Sequence, residues 1–158
     1  MLNSFDILIL VIRMRMYYIF NVKPDIANLY RNNPSSLYKI LESIYFMHQE
    51  EANYGFSIFK QITDKIKIHD INNELYIKLH KELVYSKMNN EHIINDLYHD
   101  EVSILKVKAS HLLLESNKSY SSFFNLLNGI NTYYFVCDFK EKDFFFINDI
   151  KNNLKGVT

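Results

Sequence analysis

The sequence predicts one α+β domain, a mainly antiparallel sheet of about five strands with helices packed on one side of it. Three observations carry that reading. Apolar residues recur at helical spacing in a block from Leu37 to about Leu97, and with the two-residue period of strands after Asp100. A strand-like run over 17–22 stands apart, ahead of the helical block. Helices segregated from paired strands favour α+β over an alternating parallel fold. At 158 residues, 48% hydrophobic and 15% aromatic, the chain can bury one proper core.

Residues 1–13 are expected to be an N-terminal extension ahead of the domain, which an upstream start codon would explain, since Met14 and Met16 follow at once. Their apolar run, 7–12, is far shorter than the roughly 20 residues of a membrane span. No positive charge precedes it and Arg13 and Arg15 follow, which argues against a secretory signal. A short membrane-touching anchor is the rival reading. The domain is expected over 14–151, with 152–158 a polar tail.

Tyr17, Tyr18, Ile19, Phe20 and Val22 are β-formers in near-unbroken succession, which fits a strand covered on both faces. Pro24 ends it and starts a short helix, with Asp25 at the positive end of the helix dipole. Ile26, Ala27, Leu29 and Tyr30 lie too near that start for all to face inward. Ser35 or Ser36 is expected to cap the next helix, whose stripe is Leu37, Ile40, Leu41, Ile44 and Tyr45. After a polar break the stripe resumes through Phe56, Phe59, Ile62 and Ile66, as a kinked continuation or a second helix. Leu75, Tyr76, Leu79 and Leu83 predict a further helix to about Asn90, and 91–98 a shorter one with Ile93, Ile94 and Leu97 inward.

Two strands with a tight turn at Ala109-Ser110-His111 come next, over Val102 to Val107 and Leu112 to Leu114. Residues 117–122 cap a helix carrying Phe123, Phe124, Leu126 and Leu127, closed by Gly129 as a C′ glycine. The last two strands, 132–139 and 144–147, flank the charged turn Lys140-Glu141-Lys142-Asp143.

Lys+Arg and Asp+Glu both number 18, so no global field draws the chain to nucleic acid or an anionic membrane. The single cysteine, Cys137, suits a reducing compartment and predicts a cytoplasmic location. Three glycines are too few for a nucleotide-binding glycine loop or a nucleophile elbow. On a continuous helix His92, Asp96 and His99 would share a face, which permits a metal site. His48 with Glu51 is only half of a carboxylate-bridged metal motif, and His80 and Glu82 point to different faces. Cys137 lies in the most apolar strand, beside Asp138, and reads as a buried hydrophobe. The cluster Tyr133, Tyr134, Phe135, Phe139, Phe144, Phe145 and Phe146 offers either core or a base-stacking sheet for single-stranded nucleic acid. Only turn lysines accompany it, which favours core. Three successive phenylalanines on an edge strand nonetheless predict one ring turned outward.

Several of these residues also resemble a known family. Tyr17-Tyr18, Ile26-Ala27-Asn28-Leu29-Tyr30, Phe135-Val136-Cys137-Asp138-Phe139, Phe145 and Ile147-Asn148 resemble, in that order, the SirA family of sporulation inhibitors of replication, over residues 16 to about 151. The resemblance implies a non-enzymatic regulator without a cofactor. It would bind the N-terminal domain of the replication initiator DnaA and prevent its action at the origin, with no direct nucleic-acid or membrane contact; the sequence does not fix the oligomeric state, a monomer being the simplest expectation. The implied partner-binding residues are Ile26, Ala27, Tyr30, Asn148 and Asp149. Ile26 departs from an expected aromatic, Asp149 from an expected proline, and the N-terminal extension is atypical.

Overall fold

In the computed structural model the described residues are 14–150, and the expected extension (1–13) and tail (152–158) lie outside them. β1 (Arg15–Asn21) is the first described strand and lies inside the sheet, because it pairs antiparallel with β5 (Leu112–Ser116) on one side and β6 (Tyr134–Asp138) on the other. Beyond β5 come β4 (Glu101–Val107), β3 (Glu91–Asp96) and β2 (Tyr85–Met88), and beyond β6 comes β7 (Asp143–Phe146). The α+β class is as expected, while the described strands number seven rather than about five.

The helices occupy both faces, not one. Tyr17 and Ile19 point to one side of β1, Phe20 and Val22 to the other, and each set is buried. The Tyr17 side is covered by α4 (Ile68–Leu79) and α5 (Ser122–Asn128), which bring Leu75, Leu79, Phe123, Phe124 and Leu127 onto Leu105, Leu114 and Val136. The Phe20 side is covered by α1 (Pro24–Tyr30), α2 (Pro34–Tyr45) and α3 (Ala52–Ile62), whose Ala27, Leu37, Leu41 and Ile62 meet Phe135, Cys137 and Phe146. A strand with apolar side chains on both sides needs that double cover. It also removes the outward phenylalanine: Phe144 and Phe146 pack on one face and Phe145 on the other, none fully exposed.

The region after Leu79 differs most from expectation. Instead of helices reaching Asn90 and then covering 91–98, residues 85–96 form the β2–β3 hairpin. Leu75, Leu79 and Leu83 keep helical spacing, yet α4 stops at Leu79, where His80 Nδ1 donates to the Tyr76 carbonyl at 3.0 Å, and Leu83 projects into water. Asn89 takes φ 54°, a left-handed conformation that asparagine tolerates and a hairpin turn requires. The inward residues of β3 are His92 and Ile94. A histidine therefore carries half of the strand's buried face, and the alternation is invisible to a hydrophobicity count.

Two helix ends also differ. α2 starts on Pro34 after Asn33, and Ser35 donates to the Asn33 side chain at 2.9 Å rather than capping backbone. α5 is capped within the expected stretch, Ser121 Oγ accepting from Phe123 N, but Gly129 closes it at φ −73°, not left-handed. The expected resumption of helix after the polar break is the separate helix α3, preceded by a 3-10 turn at Gln49–Glu51.

Candidate partner-binding face

The corner after β1 is held by hydrogen bonds from both neighbours. Val22 N donates to the Tyr133 carbonyl at 3.2 Å, and Asn131 Nδ2 to Asn21 Oδ1 at 2.8 Å, which ties it to the approach to β6. On the other side Lys23 N donates to the Ile62 carbonyl at 3.0 Å and Asp64 N to the Asn21 carbonyl at 2.8 Å, which ties it to the end of α3. Pro24 then occupies the first helical turn, and Ala27 N closes that turn on the Lys23 carbonyl at 2.9 Å. A seven-residue helix has little stability of its own, so these anchors fix its direction.

One side of α1 packs inward and the other stays wet. Ala27 is 3% exposed, so its side chain belongs to the core and contributes no outer surface. Ile26 and Tyr30 are half-buried, their inner parts against the Phe20 side of the core. Leu29 is 71% exposed. Positions 26, 29 and 30 are neighbours on a helix surface, so the three form one apolar ridge with Leu29 outermost. Leu29 is not among the implied partner-binding residues, although it belongs to the same first turns. The available signal was its place three residues after Ile26 in a helix whose inward position is taken by Ala27.

The second implied segment lies at the same end of the sheet. Phe20 is opposite Phe135 and Phe135 opposite Phe146, so the chain leaving β1 and the chain leaving β7 emerge two strands apart. After β7 a 3-10 turn, Ile147–Asp149, buries Ile147 and Ile150 in the α4–α5 layer and leaves Asn148 and Asp149 half-exposed. Ile26, Tyr30, Asn148 and Asp149 thus frame one end of the molecule, α1 above the sheet and the 3-10 turn below it.

The other constellations are taken up by structure. His92 lies on a strand, where a four-residue spacing to Asp96 spans about 13 Å rather than one helical turn, so the shared helical face does not exist. Its ring is fully buried, with Nε2 to Asn72 Oδ1 and Nδ1 to Tyr85 Oη both at 2.8 Å. Asp96 instead bonds the exposed His99 at 2.6 Å. Among the described residues no three His, Cys, Asp or Glu side chains are placed to hold a metal ion. Burial, with the Glu42 carboxylate adding to it, pushes the Cys137 thiol well above its ordinary range, so no thiolate forms there. Tyr134, Phe135, Phe139 and Phe146 are buried and present no stacking platform. No described helix is long and apolar enough to cross a membrane.

No curated protein matches the chain. Residues 15–151 match the family described as sporulation inhibitor of replication protein SirA. The match opens on the first residue of β1 and runs past the 3-10 turn after β7, so it takes in all seven strands and both segments of the face. With most of its length covered, the chain belongs to the SirA family of sporulation inhibitors of replication.

Proposed function

We propose that the chain restrains the start of replication as a non-enzymatic cytoplasmic inhibitor, docking the α1 ridge and the neighbouring 3-10 turn on the N-terminal domain of the initiator DnaA. The observation that carries the reading is Leu29, 71% exposed between Ile26 and Tyr30 on a helix whose entry is anchored on two sides. A preorganised apolar ridge loses little entropy on docking, and a few such anchors dominate the energetics of a contact of ordinary size. Occluding a surface that the initiator uses for itself or for another factor suffices, so no cofactor or reacting group is needed.

The test is a titration of the DnaA N-terminal domain against the wild-type chain, Leu29→Glu and Tyr30→Ala, with thermal melts alongside. Leu29→Glu is expected to weaken binding at least tenfold with an unchanged melting temperature, because its side chain contributes little to the core. Tyr30→Ala should weaken binding and also lower stability, since that ring is partly packed. Wild-type affinity in both variants would reject the placement of the face, and no binding by the wild-type chain would reject the partner.

A further inference from the structure

A second unpartnered surface lies on the sheet face shared by α1, α2 and α3. Those helices cover β1, β6 and β7, but on β3, β4 and β5 the same face stays open, its half-buried Ile93, Ile104 and Leu113 interspersed with Glu115 and the Glu91–Lys106 ion pair. Where the cover stops there is a trough. Its floor is Tyr18 and Phe20, with the His111 ring 5.3 and 6.0 Å from theirs, and its helical wall includes Phe56 and Phe59 of α3. This apolar hollow measures about 500 Å³, and past Phe56 and Phe59 it continues into a second of about 380 Å³. Phe56 is 56% exposed, and Gly55 and Ile62 are the buried residues of α3.

The charge along the trough is uneven. Lys23, Lys60 and Lys65 rim the second hollow, together with a single carboxylate, Asp64. Among the described residues none of the three lysines has a carboxylate within 4.0 Å; Lys60 Nζ lies instead 4.5 Å from the centroid of the Phe56 ring. Cations gathered at one end of an apolar channel attract negative charge to that end. The strands beside the channel, β1, β4 and β5, are paired on both sides, so no free strand edge is available for an added strand. A helix engages such a trough through side chains alone.

We propose that this trough receives an acidic amphipathic helix of a partner protein, its apolar side chains along Tyr18, Phe56 and Phe59 and its carboxylates on Lys23, Lys60 and Lys65. The occupant lies between α3 and the Ala109–His111 turn, along the border where the chain's own helical layer stops. The site is separate from the α1 ridge and does not depend on what binds there.

The test uses a fluorescent designed helix with leucines at i, i+3, i+4 and i+7 and glutamates beside them, together with its counterpart in which lysines replace the glutamates. Fluorescence anisotropy should show the acidic helix binding at least tenfold tighter than the basic one, an advantage that shrinks with added salt. Lys60→Glu with Lys65→Glu should abolish that preference, and Phe56→Glu should abolish binding; melting curves verify that these exposed replacements leave the chain folded. Equal affinity for both helices, or no binding of either, overturns the proposal. So does a wild-type dimer in sedimentation that Phe56→Glu turns into monomer, since the occupant would then be a second copy. Leu29→Glu should leave acidic-helix binding intact and Lys60→Glu should leave DnaA binding intact, so failure at one surface is distinguishable from failure at the other.

Discussion

His92 makes the fold sensitive to mild acid, and the size of the effect follows from its surroundings. Asn72 Nδ2 donates to Asn90 Oδ1 at 3.0 Å, which leaves Asn72 Oδ1 as the acceptor facing His92 Nε2–H at 2.8 Å. Tyr85 Oη–H then donates to Nδ1, so the neutral ring has both nitrogens satisfied. Burial, with Lys87 adding to it, pushes the His92 pKa from the ordinary 6.5 down to about 4. The unfolded chain therefore takes up a proton that the folded chain refuses. Stability from this group is complete above pH 6.5 and is lost as pH falls toward 4. The slope is about 1.4 kcal/mol per pH unit, which amounts to about 3 kcal/mol over the whole interval. His111, also held near 4 by burial, acts with the same sign. Urea unfolding followed by circular dichroism at pH 7, 6 and 5 measures the loss. His92→Gln, which can still donate to Asn72 and accept from Tyr85, should flatten the profile by about half, the remainder belonging to His111. Equal slopes for wild type and His92→Gln, or a flat wild-type profile, would refute the reasoning.

Other perturbations test other parts of the structure. Lys142 in the β6–β7 turn has φ 54°, which a side chain resists, so Lys142→Gly should stabilise the chain by about 0.5–1 kcal/mol in urea unfolding. Glu101 Oε1 accepts from Ser103 Oγ, Ser121 Oγ, Ser122 N and Ser122 Oγ at 2.7–3.0 Å, so Glu101→Ala should cost about 2–3 kcal/mol and loosen the start of α5 in hydrogen exchange. Cys137 should react with a thiol reagent only as fast as the chain unfolds, and labelling at the rate of a free thiol in native protein would contradict its burial.

The parts legible in the sequence are those decided by neighbours along the chain. β1, the Pro24 corner, the Ser121 cap and the β4–β5 hairpin all rest on short runs of β-formers, a proline or a capping serine. The β2–β3 hairpin was hidden because its inward histidine is paired by Asn72, a residue of α4, and because Ile93-Ile94 fits either period. The pair Asn89-Asn90 was the local sign of a turn. Cover on both faces of the sheet is a tertiary fact, set by which strands the helices reach. The proposed face was half legible: Ile26 and Tyr30 lie near the surface as expected, whereas Ala27 turns inward and Leu29 takes the outermost place. The trough was not legible at all, since Tyr18, Phe56 and His111 come from three distant stretches and meet only when folded.

The position of β1 bears on how the chain is made. It leaves the ribosome ahead of every other described strand, yet Tyr18 is matched with Leu113 on one side and Cys137 on the other, both far downstream. The sheet therefore cannot close around β1 until β6 has been made, and until then its aromatic stretch waits unsatisfied among nascent helices. Translation must pass β6 before the sheet that supports the α1 corner is complete, and a chain stopped short of it leaves β1 without its second partner strand.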